Sequence, residues 1–328
     1  LIIMPMSVAG EGVEAVAVAG DTPTASGSGR PSVVIASCRD RALLWRAVDA
    51  VQAQVDAHGG ELVIVRAGDA AEIAAVRAHC PSARVVPAPS DAGIPRLRGL
   101  GLAAAVGDPV AMTEDHCVPA PDWLDRLLVH TGRGLHVVGG GMANRPGSGP
   151  VAWGAYLTDY GFYSYARPPA TTAVPLLTAA NIAYRREVVP EVAAWCGKGA
   201  WENVVHDRLA AAGRALHFAP EARVYHDHRY RFGAFCRDRY EHGWDYARAR
   251  LTEDRSARRW LLFLLAAVLP PLLLWRIARA AGKEDRGQFL RVLPVTTAFL
   301  FSWAAGEAAG YYRGPLRDGE DAGRVAAT

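Results

Sequence analysis

Between Ser32 and Val86 three short apolar runs alternate with two helical patterns, and this alternation limits the fold more than any other feature of the chain. Ser32-Val-Val-Ile-Ala-Ser is a continuous apolar run, as expected of a parallel strand covered on both faces. A helix is predicted from about Arg41 to Ala57, with Leu43, Leu44, Ala47, Val48 and Val51 at helical spacing and His58-Gly59-Gly60 closing it. Glu61 to Val65 predicts the next strand, Ala71 to His79 the next helix, and Arg84 to Val86 a third strand. This β-α-β-α-β order is that of the nucleotide-binding half of an α/β fold. No GxGxxG or GxxxxGK[ST] follows any strand, which disfavours a dinucleotide site and a P-loop.

The chemistry concentrates further on. After the turn signal Gly107-Asp108-Pro109, the run Val110-Ala111-Met112 predicts a buried strand that ends in Thr113-Glu114-Asp115-His116. A proline-broken loop, Val118-Pro119-Ala120-Pro121, leads to Asp122 as the expected cap of a helix starting at Trp123. Two carboxylates and an imidazole at the carboxyl end of a strand lie where open α/β sheets bind ligands, and they are suitable donors for a divalent cation. A merely solvated, charged loop is the bland alternative. Arg96 and Arg98 precede this strand, either as phosphate contacts or as helix-surface charge.

With 328 residues, 51% of them hydrophobic, the chain is long and apolar enough for one large α/β domain with additions. A net charge of +3 is too weak to imply nucleic acid. Five scattered cysteines without a CxxC argue for a reducing compartment and against a disulfide framework. Residues 1–30, rich in Ala, Gly and Val, are expected to form a loosely attached leader.

The segment 131–175 is expected to hold a strand at Leu135-His-Val-Val-Gly and then to become irregular. Its aromatic residues, Trp153, Tyr156, Tyr160, Phe162, Tyr163 and Tyr165, read either as a lid beside the cleft or as core. Leu176 to Glu187 resumes a strand and turn. Trp201-Glu202-Asn203 enters a helix in whose first turn Glu202 suits the helix dipole. His217 to His228 predicts a last strand ending in two histidines.

In this order the motifs resemble those of family-2 inverting glycosyltransferases of the GT-A fold. Ser32-Val-Val-Ile-Ala-Ser stands for the family's first strand, and Gly93-x-x-x-Leu97-Arg98-Gly99-x-Gly101 for its G-x-x-x-A-R-N-x-G segment. Gly107 through Leu124 matches its metal-motif region, Ala179-x-Asn181-x-Ala183-x-Arg185-Arg186 its G-x-N-x-A-x-R-R, and Glu202-Asn-x-x-Val-x-x-Arg208-Leu209 its E-D-x-x-L-x-x-R-L. The resemblance spans about residues 32–250 and implies a GT-A, Rossmann-like nucleotide-sugar-binding domain over 31–250. It implies a nucleotide-diphosphate sugar donor, a divalent cation (Mn²⁺ or Mg²⁺), and an acceptor hydroxyl on a glycan or a lipid-linked, cell-envelope glycan. It places Ala36, Ser37, Arg39, Asp69, Arg98, Glu114, Asp115, Asn181 and Arg239 at the donor, with Asp115, His116 and His226 at the metal. Glu202 would be the base. Neutral imidazole is needed for ligation, so metal binding is expected to weaken as pH falls through roughly 6–6.5.

The chain departs from the family at three acids. The V-D-D-G-S loop is Val65-Arg66-Ala67-Gly68-Asp69, where Asp69 would substitute as reader of the nucleotide base. The last acid of the metal motif is His116, and the E-D pair is Glu202-Asn203. These departures leave a degenerate, partner-binding scaffold as one alternative. A sugar nucleotidyltransferase is another, although the Gly-rich loop of that class is missing after the first strand.

The C-terminal part, 251–313, changes character. Trp260 to Trp275 is uncharged with Pro270-Pro271 inside it, and Val292 to Ala305 is a second apolar run. Each is short of the ~20 residues of a straight spanning helix. Arg255, Arg258 and Arg259 precede the first run, and Arg276, Arg279, Lys283, Arg286 and Arg291 follow it. This pattern predicts a hairpin lying on or re-entering an anionic membrane surface, at the cytoplasmic face of the cell membrane. Packing on another subunit in a homo-oligomer is the soluble alternative. Residues 314–328 are expected to be a disordered tail.

Overall fold

The computed structural model describes residues 29–167, 173–251, 256–280 and 283–315. Residues 1–28 of the expected leader 1–30, Arg255, the side chain of Lys283 and residues 316–328 of the expected tail 314–328 lie outside the described residues.

The first half follows the predicted alternation: β1 (Ser32–Ser37), α1 (Arg41–Ala57), β2 (Glu61–Ala67), α2 (Ala70–His79), β3 (Arg84–Ala88) and α3 (Ile94–Ala104). β1 pairs in parallel with β2 on one side and with β4 (Val110–Glu114) on the other, and β2 pairs in parallel with β3. A central strand covered on both faces has no solvent side, so every residue of β1 is buried. Val33 and Ile35 join the core layer of Leu44, Val48 and Val51 from α1. Val34 and Ala36 face the opposite layer with Leu97 and Leu102 of α3. α3 comes very close to the sheet: a Cβ at Gly101 would lie 2.3 Å from Val34 Cγ1, so only glycine fits there.

The second half extends the sheet with mixed direction. β5 (Cys117–Pro119), α4 (Trp123–Gly132), β6 (Val137–Asn144), α5 (Pro150–Tyr160), β7 (Asn181–Tyr184), α6 (Val189–Gly197), α7 (Glu202–Ala211) and β8 (Leu216–His226) follow in order. The eight strands run β3-β2-β1-β4-β7-β6-β8-β5. β7 is antiparallel to both β4 and β6, β6 is parallel to β8, and β5 is antiparallel to β8.

Three local expectations change. Val118-Pro119 is strand rather than loop, because Cys117, Val118 and Pro119 pair with His226, Tyr225 and Val224 at the sheet edge, where proline is tolerated. Asp122 does not cap α4 through its side chain; its carboxylate pairs with Arg126 at 2.9 Å instead. The aromatic stretch expected to be irregular is helical over α5 and a 3-10 turn, Gly161–Tyr163, with Tyr156 and Tyr163 buried.

The chain ends in α8 (Phe232–Arg250), α9 (Ser256–Leu265), a 3-10 turn at Ala266–Val268, α10 (Leu269–Ala280) and α11 (Lys283–Arg313). The two apolar runs therefore belong to one bent helical segment and to one 31-residue helix. α11 packs along α8 with the backbones in contact: a Cβ at Gly306 would meet Tyr240 O at 1.9 Å, and one at Gly243 would meet Trp303 O at 2.3 Å. Val295 and Phe299 of α11 lie over Gly154 of α5, which ties this layer to the sheet domain.

Candidate active site

The carboxyl ends of β1, β4 and β8 converge. β4 ends at Glu114, and the next two residues turn into β5. The register Cys117↔His226 then brings His116 beside the end of β8, reinforced by the Asp227 N–H donating to His116 O at 2.8 Å. The His116 and His226 rings meet edge to face at 5.4 Å, and His228 lies 6.1 Å from His116.

Glu114 and Glu202 share one cation. Arg98, buried on α3, donates Nη2 to Glu114 Oε1 at 2.5 Å and Nη1 to Glu202 Oε2 at 2.8 Å. Burial pushes the Glu114 carboxyl up, but Arg98 and His116 outweigh it and hold the group below the usual carboxylate range. Arg98 thus stands as a bridge between two acids, not as a free phosphate clamp. Arg96 is exposed.

Asp115 organises the loop after β1. Its Oδ2 accepts from the N–H groups of Cys38 and Arg39 at 2.9 and 2.8 Å, and its Oδ1 lies 3.3 Å from His116 Nδ1. Its own N–H donates to Ala36 O at 3.2 Å. Burial again pushes upward, and the His116 hydrogen bond and charge, with Arg39, bring the carboxyl below its ordinary value. With one oxygen committed to two backbone amides, Asp115 chiefly shapes the loop. The donors that approach one another within 4.8 Å are instead those of Glu114, His116 and Cys117.

The remaining walls are aromatic and basic. Tyr160 Oη lies 3.2 Å from His116 Nε2, and Tyr230 Oη lies 3.3 Å from His226 Nε2. The Nδ1 atoms of His226 and His228 are buried and have no hydrogen-bond partner. Burial, then the neighbouring imidazoles and Arg39, holds His226 well below the ordinary histidine value. Burial and then Arg39 bring His228 down to about 3. In both rings burial favours the neutral form that metal ligation requires.

These donors fit a divalent cation. The Glu114 carboxylate and the neighbouring imidazoles, those of His226 and His228 each with an orphaned nitrogen, form a mixed oxygen and nitrogen donor set. The Cys117 thiol, pushed well above its usual value by burial, is a weaker donor.

Several expected donor contacts are not free to act as such. Asn181 Oδ1 accepts from Trp123 Nε1 at 2.8 Å, and its Nδ2 donates to Gly141 O and Ala222 O, so its side chain locks β7 to β6 and β8. Arg239 is buried, with Nη1 on Asp159 and Nη2 2.5 Å from His242 Nδ1. Its face packs on Phe235 and Trp303, so it serves the interior of the helical layer. Asp69 is exposed and caps α2 by accepting from the Glu72 N–H at 2.8 Å.

The position beside it matters more. Arg66, at the end of β2, is buried and donates Nη1 to Ser37 Oγ and to Arg39 O, and Nη2 to Glu72. It closes the floor of the cleft under the β1 loop. Sequence reasoning marked this position only as a departure. Tyr230 joins the walls with no spacing signal of its own, beside His228, one of the two histidines expected at the end of the last strand. A separate cavity of about 260 Å³, lined by Arg30, His58, Asp108, Leu128, Thr131 and Arg185, lies at the amino-terminal ends of β1 and β4 and shares no residue with this cluster.

A mixed eight-stranded sheet with helices on both faces and acids and imidazoles at the carboxyl ends of its strands has the GT-A fold. Residues 32–192 match Glycosyl transferase family 2, and the chain carries a domain of that family. Among solved structures it is similar to the mannosyltransferase PcManGT from Pyrobaculum calidifontis in complex with GDP-Man and Mn²⁺. That similarity has a TM-score of 0.55 and 17% identity, and covers 87% of this chain and 89% of that one. Glucosyl-3-phosphoglycerate synthase from Mycobacterium tuberculosis, in complex with Mn²⁺, UDP-glucose and phosphoglyceric acid, matches with a TM-score of 0.41 and 20% identity, over 61% of this chain and 72% of that one. GalNAc-T7 with UDP, GalNAc and Mn²⁺ matches with a TM-score of 0.46 and 17% identity, over 62% and 44% of the two chains. No curated protein matches the chain in sequence.

Proposed function

We propose that this glycosyltransferase is an inverting, metal-assisted enzyme that moves a sugar from a nucleotide-diphosphate donor to an acceptor hydroxyl. The observation that carries this reading is the gathering of Glu114, His116, His226 and the Arg98–Glu202 pair at one end of the sheet, from positions as far apart as residues 98 and 226. Glu114 and His116, with His226 beside them, would hold the cation; when bound, it would offset the charge of the departing diphosphate. The loop after β1, fixed by Asp115 and floored by Arg66, would cradle the nucleotide through its backbone.

Glu202 is assigned as the base. Its Oε2 is turned by Arg98, leaving Oε1 to take the acceptor's proton, and Asn203 beside it has no proton-accepting carboxylate. Inversion would require the acceptor to approach from Glu202 on the side of the sugar opposite the departing diphosphate.

A second reading, a degenerate scaffold, is favoured by one observation: Arg98 already neutralises both Glu114 and Glu202. The two readings separate in a single experiment. The purified chain is incubated with GDP- and UDP-linked sugars and Mn²⁺, and release of nucleoside diphosphate is followed, with and without EDTA. Metal-dependent release that disappears in His116→Ala supports the enzyme. Binding of nucleotide with no turnover of any donor would leave the scaffold.

A further inference from the structure

Two helical segments are long and apolar enough to cross a membrane by length and composition, Ala257–Ala280 and Arg286–Arg313. Their surroundings differ. α11 is built into the protein against α8 and α5, and Phe299, Leu300, Trp303 and Tyr311 are buried there. The bent segment α9–α10 covers α11 on one side and presents an apolar stripe on the other. Trp260, Leu261, Leu264, Leu265, Val268, Leu272 and Trp275 are all exposed, from 44% at Leu272 to 67% at Leu264. Their spacing of one, three, one, three, four and three residues keeps them on one helical face.

We infer that this face docks in the plane of an anionic lipid bilayer. Three observations select that occupant. Among residues 256–280 there is no acid, and the only charges are Arg258, Arg259, Arg276 and Arg279. Arg258 and Arg279, one near each end of the segment, are exposed. Tryptophans stand at both ends of the stripe, where an amphipathic ring meets headgroups. A second copy of the chain fits this face poorly. A two-fold contact would bring the arginines of both copies together with no carboxylate from this segment to pair them.

The in-plane orientation follows from the attachment of both ends. At one end Arg259 Nη2 donates to Tyr312 O at 2.7 Å, and the Trp260 and Phe263 rings lie 6.1 and 6.4 Å from Tyr312. At the other end Ile277 is buried near Leu157 and Gly161, with the Arg276 guanidinium 5.2 Å from the Phe162 ring. A helix fixed to the protein at both ends lies along it and cannot depart as a perpendicular span.

The test uses the full chain in flotation with vesicles of phosphatidylcholine, alone or mixed with phosphatidylglycerol. Wild type should float with the mixed vesicles, less so at high salt, and alkaline carbonate should release it. The variant L264S/L265S/V268S/W275S should lose at least ten-fold in bound fraction on mixed vesicles. R258Q/R279Q should lose the preference for phosphatidylglycerol. Thermal melting confirms that both variants, altered only at exposed positions, remain folded. Equal flotation of wild type and both variants overturns the proposal. So does retention of wild type after carbonate, which would mean a span. Conversion of a wild-type dimer to monomer by the first variant, without change in flotation, would make the face a contact between copies. Donor hydrolysis measured in parallel without vesicles reports the transferase reading separately, so failure of one leaves the other standing.

Discussion

Replacing Arg98 by Met would expose how the site is held together. The guanidinium is 6% exposed and serves two carboxylates that are 7% and 4% exposed, at 2.5 and 2.8 Å. At an effective dielectric constant near 20, each unit pair ~4 Å apart gains about 4 kcal/mol before desolvation, and breaking a buried pair costs ~3–5 kcal/mol net. The expected loss at pH 7 is therefore ~3–5 kcal/mol, a large share of what a domain has. The pH dependence gives a sharper test. In wild type the Glu114 value is depressed, so its contribution is present above the unfolded value near 4.5 and is lost as pH falls through the folded value. Without Arg98 the burial of Glu114 has no guanidinium to oppose it, and its folded value rises above the unfolded one. Stability from this group is then greatest in acid and declines as pH rises, so the sign of the slope reverses. Urea unfolding from about pH 3 to 8, a range that brackets the unfolded carboxylate value, followed by far-ultraviolet circular dichroism, measures both quantities. E114Q/E202Q added to R98M should recover most of the loss, because the unpaired charges are gone. If R98M stays within ~1 kcal/mol of wild type with an unchanged slope, the bridge does not carry the charge assigned to it.

Glu202→Gln should lower transfer by ~10²–10⁴-fold with donor affinity nearly intact; normal turnover would move the base to another acid, Asp159 first. In calorimetry with GDP and UDP, Mn²⁺ should raise affinity for the nucleotide accepted by wild type, and His116→Ala or His226→Ala should reduce that gain by at least the ~10–100-fold typical of losing a residue that only orients a ligand. Equal, metal-independent affinity in all three proteins would remove the cation from the site. His206, brought by burial down to about 4, is neutral in the folded chain, with Nδ1 accepting from the Leu177 N–H. The unfolded chain takes up that proton first, so stability should fall as pH drops from 6.5 toward 4, by up to ~3 kcal/mol; His206→Asn should flatten that part of a urea-unfolding series.

The nucleotide-binding half was legible because its period carries the information. The strand at Ser32 and the helix at Arg41 to Ala57 fall where the apolar spacing puts them, since each element there packs with its neighbours in the chain. β5 was not legible. A three-residue strand containing Pro119 has no period, and it forms only because β8, more than a hundred residues later, supplies its partner. The roles of Arg98 and Asn181 failed for a related reason. Motif spacing gives the position of a side chain but not the polar groups that already satisfy it. Arg98 meets Glu202 104 residues away, and Asn181 spends its amide on Gly141 and Ala222.

The C-terminal layer shows the same limit in energetic terms. Hydropathy identifies Trp260 to Trp275 as apolar, yet an apolar stretch of that length is equally at home across a bilayer, along its surface or beneath another helix. The choice depends on which face the rest of the protein has already covered. Here Gly243 and Gly306 let α8 and α11 touch at the backbone, which makes α11 part of the catalytic body. Leu269, Leu273 and Ile277 are then buried while Leu264, Val268 and Leu272 are left in the open. A single helix thus has one face committed to protein and one to whatever lies outside. That outer face carries arginine as its only charge, and this pairing of hydrocarbon with cation is what the proposed docking on an anionic bilayer rests on.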